Sequence, residues 1–174
     1  MALTKTTQIA NRYGLNLVFH KCGEEGTTND VSIAFANEVS IEVTGDAVYA
    51  TGTQAHKRLI GFSNPLEGSM TISTQIITPE LLKLVAGDKS TTLGSATFKS
   101  GNDVAYYKVT GTTVWKDKDG TTYDETVTAY RCVIKPNYNV AYTGDGDPQS
   151  IDINLELLED DEEGMITFAQ ADAA

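Results

Sequence analysis

The stretch that decides the fold is Leu66 to Gly87, Leu-Glu-Gly-Ser-Met-Thr-Ile-Ser-Thr-Gln-Ile-Ile-Thr-Pro-Glu-Leu-Leu-Lys-Leu-Val-Ala-Gly. Its first half alternates. Leu66, Gly68, Met70, Ile72, Thr74 and Ile76 fall on one face, with Glu67, Ser69, Thr71, Ser73 and Gln75 on the other. This period of two predicts a strand over 66–77, in an antiparallel sheet with one wet face. The second half changes period. Thr78 can cap a helix, Pro79 suits the first helical position, and Glu80 lies in the first turn, where the helix dipole favours an anion. Leu81, Leu82, Leu84 and Val85 make an apolar stripe at helical spacing, and Gly87 supplies the stop. A helix of about nine residues is not stable alone, so it must pack on the sheet.

Working outward, Thr, Val and Ile dominate the periodic segments, and Gly, Asn and Asp punctuate them, the mark of β-structure with frequent turns. Leu15 to His20 reads as a first strand. Val39, Ile41 and Val43 alternate with Ser40, Glu42 and Thr44. Asp46 to Ala50 and Lys57 to Phe62 are weaker strands around a Gly-containing tip. Asp103 to Trp115 and Thr121 to Lys135 predict the longest hairpin, joined by Lys116 to Gly120. Neither arm alternates cleanly. Thr122, Asp124, Thr126 and Thr128 share a face with Tyr130, Cys132 and Ile134, as expected of a strand that leaves a domain core for a subunit interface. After a turn-rich connection, Ile151, Ile153, Leu155 and Leu157 form a last alternating strand. The whole reads as one domain over 1–174, with a short N-terminal arm (1–14) and an acidic C-terminal tail (159–174).

The chain has 174 residues, 40% of them hydrophobic, enough to bury a core as one domain. Its formal net charge is −11, from 24 acidic and 13 basic residues. Nucleic-acid binders gather Lys and Arg on one face; here Arg12, Arg58 and Arg131 are the only arginines and the lysines are scattered. No apolar run approaches the roughly 20 residues that span a bilayer, and the N-terminus lacks the apolar core of a signal peptide. A cytoplasmic origin without membrane contact is the expectation. Cys22 and Cys132 are expected to be free thiols, Cys132 packed inside a strand.

No chemical motif survives inspection. Asp117-Lys118-Asp119-Gly120, aligned on a calcium loop by its Gly, places Trp115 and Thr126 where ligands are required. Asp145 and Asp147 are equally good turn residues. His20 and Cys22 have no second pair at zinc spacing, and His56 is isolated. One tryptophan, Trp115, makes no carbohydrate platform. No catalytic, cofactor or metal site is expected, and no enzyme activity.

Leu66 to Gly87 resembles the core segment of phage major tail tube proteins, in which a Glu-Gly-Ser/Thr strand runs into a short Pro-Glu-Leu-Leu helix closed by Gly. Gly45 to Ala50 and the loop to Pro65 resemble that family's long hairpin, and the order of elements agrees over most of residues 15 to 158. The resemblance implies a mainly β, tail-tube-like fold, a β-sandwich or barrel with one short flanking α-helix and long hairpins. It implies hexameric rings, joined by their long strands into an inner barrel and stacked around a tape-measure protein. Terminator and baseplate proteins would sit at the ends, in a virion tail or headless tail-like particle assembled in a bacterial cytoplasm. DNA would pass through without binding, and an acidic bore would help, since a basic lining retains DNA through counterion release. A terminator or distal ring component, or a β-sandwich adhesion module, are the alternatives. Subunits of charge −11 repel, so stacking needs local attraction. Lys57 and Arg58, the only adjacent basic pair, are expected to reach Glu156, Glu159 and Asp160 of a neighbour.

Overall fold

The computed structural model describes residues 9–10, 15–23, 30–33, 36–51, 58–88, 92, 94–101, 105–117, 119–135, 138–139, 144, 146 and 150–170. Among these residues the chain is mainly antiparallel β with one short helix. Eleven strands are described: β1 (Ile9–Ala10), β2 (Asn16–Lys21), β3 (Val31–Ile33), β4 (Ala36–Thr44), β5 (Ala47–Thr51), β6 (Arg58–Ser63), β7 (Glu67–Thr74), β8 (Tyr106–Asp117), β9 (Thr122–Lys135), β10 (Ile151–Leu158) and β11 (Ile166–Gln170). The helix, α1 (Pro79–Ala86), follows β7.

Nine strands form one sheet in the order β3-β2-β8-β9-β10-β7-β4, with β1 pairing β8 and β11 pairing β9 at its margins. Strands β5 and β6 form a separate two-stranded sheet. Inward side chains from β2, β7, β8, β9 and β10 join Leu81, Leu84 and Val85 of α1 in one hydrophobic cluster.

The strand–helix stretch forms where its periodicity predicts. In β7, Met70, Ile72 and Thr74 are buried and Glu67, Ser69, Thr71 and Ser73 face outward. The strand is shorter than 66–77: Leu66 and Ile76 are half exposed, and at the C-terminal end the Thr74 hydroxyl takes the Ile76 N–H (3.2 Å) and turns the chain away. Thr78 Oγ1 accepts from Leu81 N–H at 3.2 Å, the expected N-cap. Gly87 closes α1 at φ 63°, its N–H and that of Asp88 reaching back to Leu84 and Lys83 carbonyls. The buried stripe is Leu81, Leu84, Val85 and Ala86; Leu82 is only half-buried.

The long hairpin corrects one expectation. In β9, Glu125, Val127 and Ala129 are buried, and then Cys132 and Ile134 are buried. The inward parity switches. Tyr107 pairs Cys132 and Val109 pairs Ala129, so Tyr130 and Arg131 both lie opposite Lys108. This is a β-bulge, and one extra residue flips every later side chain to the other face. The irregular pattern thus needs no second environment. The bulge keeps Ala129 on one side of it, and Cys132 and Ile134 on the other, in one hydrophobic cluster.

Within the acidic C-terminal segment, Asp160 and Gly164 form a bridge, and β11 pairs β9 from Ile166↔Ala129 to Gln170↔Glu125. Within the N-terminal arm, Ile9 and Ala10 pair Asp117 and Lys116. Cys22 and Cys132 are both free, Cys132 buried in β9 as expected.

Candidate functional site

The outward faces of β4, β7 and β10 carry hydroxyls, amides and carboxylates in register. Glu42, Ser69 and Glu156 align in one row, and Ser40, Thr71, Asn154 and Lys135 in the next. The rows bond across strands: Thr71 Oγ1 donates to Asn154 Oδ1 at 3.0 Å, and the Ser73 hydroxyl donates to Asp152 Oδ1. The face is polar because outward positions of an antiparallel strand need not be apolar. Its cross-strand bonds hold these side chains flat against the sheet.

Where β4 ends and β7 begins, this face opens into a groove of about 480 Å³. Glu42, Glu67, Glu156 and Glu159 line it, and Lys135 is the one cation among the described residues there. Lys135 Nζ lies 3.5 Å from Glu156 Oε2, with both side chains more than half exposed. Such a pair is worth roughly 0–1 kcal/mol, so it leaves the groove acidic. Leu66, Leu157 and Leu158 add apolar wall.

Glu156 and Glu159 both line this groove. Asp160 does not join them. Its Oδ1 accepts the backbone N–H groups of Glu162 (3.1 Å) and Glu163 (3.2 Å), so the carboxylate is engaged in its own turn. Lys57 lies outside the described residues, as do the Arg58 side chain, His56, Asp145 and Asp147; Arg58 itself opens β6. Sequence reading missed Glu42 and Glu67, whose polar-face parity was visible but whose meeting depends on strand register.

A second outward cluster sits at the bulge. The Arg131 guanidinium lies 4.4 Å from the Tyr106 ring centroid, and Lys108 Nζ lies 5.3 Å from that of Tyr130. Beside it, His20 Nδ1 is 2.9 Å from Asp30 Oδ2 and His20 Nε2 is 3.1 Å from Thr110 Oγ1. Carboxylate, imidazole and hydroxyl thus follow one another in the order used to activate a nucleophile. The setting differs from such a site, however. Thr110 is mid-strand between β2 and β9, so its backbone N–H belongs to the ladder rather than to an oxyanion. The chain of bonds ties β8 to the start of β3.

The buried Glu125 carboxylate accepts from Trp115 Nε1 on the paired strand, which supplies the partner that burial of an anion requires. Burial pushes the Cys132 thiol up to about 12. The exposed Cys22 is also raised, by desolvation above all, against the opposing pull of Arg131. Neither thiol has the lowered pKa of a reactive nucleophile. Among the described residues, no three His, Cys, Asp or Glu side chains gather as metal ligands, and no helix is long and apolar enough to cross a membrane.

No protein-family model matches the chain, and no curated protein matches it. Among solved structures, the chain is similar to one in the cryo-EM structure of the anti-feeding prophage baseplate. The TM-score is 0.48 and identity 11%, over 98% of this chain and 96% of that one. It is also similar to the crystal structure of an Hcp protein, with TM-score 0.40 and 12% identity over 94% of this chain and 99% of that one.

Proposed function

We propose that this chain is a structural subunit of a phage-tail-like particle, polymerising as stacked six-membered rings into a hollow tube, and that it is not an enzyme. The observation that carries the reading is a broad antiparallel sheet with a polar outward face and, among the described residues, an open edge. Strand β4 pairs only β7 among the described residues, so about every other one of its nine residues turns its backbone N–H and C=O away from β7. Such an edge is a template for another chain. An outward face of Glu42, Ser69, Thr71, Ser73, Asp152 and Glu156 suits a bore, because clustered carboxylates repel phosphate rather than bind it. The strand–helix segment on which the resemblance rests is realised as β7 followed by α1. A tape-measure protein in the bore, terminator and baseplate partners at the ends, and DNA in transit follow from that resemblance.

Negative-stain microscopy of the concentrated, purified protein tests the proposal. Rings and tubes are the expected outcome. Single rings that never stack favour a terminator or distal ring, and a monomer at every concentration that also fails to add to isolated tails refutes the tube.

A further inference from the structure

One outward row crosses five strands: Glu42 of β4, Ser69 of β7, Glu156 of β10, Val133 of β9 and Tyr106 of β8 stand opposite one another in turn. Residues directly opposite in antiparallel strands share a face. Around this row the face changes sign. On the β4–β7–β10 side lie the carboxylates of Glu42, Glu67, Glu156 and Glu159, with Lys135 beside Glu156. On the β9–β8 side lie Arg131 and Lys108, each close to a tyrosine ring. Both cations face outward, because their neighbours Cys132 and Val109 are buried in the core. Among the described residues no salt bridge joins either of them to a carboxylate, and the Asp30 carboxylate nearby meets His20. Leu158 and Val133, both half-buried, stand between the two halves.

Neighbouring strands lie about 4.8 Å apart. Strands β7 and β8 are three spacings apart in the sheet, so the acidic and cationic halves are centred about 14 Å apart along it. A half-turn about an axis along the strands, through Leu158 and Val133, lays the acidic half of one copy on the cationic half of another, and the reverse, in one contact. We propose that the free subunit pairs with a second copy through this face, Arg131 and Lys108 of each meeting Glu67, Glu156 and Glu159 of the other around Leu158 and Val133. Both copies carry a formal charge of −11, so the pairing depends on opposite charges meeting at close range. The contact is isologous and closes at two. A face that meets its copy cannot line a bore at the same time. Pairing thus holds dilute subunits out of a tube, and rising concentration releases them into it, because assemblies of many copies gain more from concentration than a pair does.

Sedimentation equilibrium of the dilute full-length chain tests the pairing. At about 0.1 M salt, where screening acts over about 10 Å, the expected species is a dimer; at about 1 M salt, where it acts over about 3 Å, a monomer. Two charge-reversed variants locate the contact: Lys108→Glu/Arg131→Glu, which makes the cationic half acidic, and Glu67→Lys/Glu156→Lys, which reverses the acidic half. All four positions are exposed, so both variants should keep the parent's thermal midpoint. Each variant alone should dimerise at least about tenfold more weakly than the parent, and an equal mixture should form a one-to-one pair. The salt series on the parent decides independently of how the variants fold. A parent that stays monomeric at 0.1 M salt, a folded variant that dimerises as the parent does, or a mixture of folded variants that fails to pair overturns the proposal. Rings or tubes in the concentrated parent bear on the tube alone, so the two readings fail separately.

Discussion

Deleting Tyr130 should leave the protein folded, although the residue lies in the middle of its longest strand. Buried positions 125, 127 and 129 precede the bulge, and 132 and 134 follow it. Removing one of the two residues opposite Lys108 restores strict alternation, with every buried side chain still inward. The losses are local. The Tyr130 N–H bond to Met165 O (3.2 Å) goes, with the hydroxyl bond to Thr167 (3.2 Å) and the contact with Lys108. At about 0.5–1.5 kcal/mol per hydrogen bond and about 0.5–1 for an exposed cation–π pair, the cost is about 1.5–4 kcal/mol. Deleting Thr126 instead shifts the alternating part of the strand. Val127 and Ala129 turn outward, while Thr128 and Tyr130 bring hydroxyls into the core. Lost Val burial of about 1.5–3 kcal/mol and about 1–3 for each unsatisfied hydroxyl approach the whole stability of about 5–15 kcal/mol. Urea denaturation followed by far-UV circular dichroism separates the two outcomes. A Tyr130 deletion as damaging as the Thr126 deletion refutes the bulge as the device that sets parity.

Four other outcomes are expected. Leu84→Ala should cost about 2–5 kcal/mol in urea denaturation, since Leu84 is buried against the sheet; Lys83→Ala on the same helix should cost far less. Gly68→Ala should destabilise by about 1–3 kcal/mol, because a Cβ there falls 2.9 Å from Leu157 Cβ and 2.5 Å from Met165 Sδ. Gly45→Ala meets only the half-exposed Leu66 Cδ2, so thermal melts should show a smaller loss. At pH 8, iodoacetamide should modify Cys22 and spare Cys132 until the protein unfolds, read by mass. The Cys132 thiol rises from 9.0 to about 12 on folding, so the folded state holds its proton more tightly. That contribution is complete below pH 9, and should be lost as pH climbs from about 9 to about 12.

What the sequence by itself determined is local. The switch from period two to helical spacing, Thr78 before Pro79 and Gly87 after Ala86 specify β7 and α1 to within a few residues, because side-chain alternation and capping are short-range effects. The mainly β class followed from the same periodicity, and the free thiols from there being only two cysteines. The tertiary structure decided whatever depends on which distant strand lies alongside. Strand β9 looks irregular until β8 counts two of its residues against Lys108. The C-terminal residues become β11 because β9 offers them an edge. Glu42, Glu67, Glu156 and Glu159 look scattered until β7 pairs both β4 and β10, while Asp160, their neighbour in sequence, is taken by its own turn. Strand register is set by burial across the whole sheet, and no window of sequence contains it.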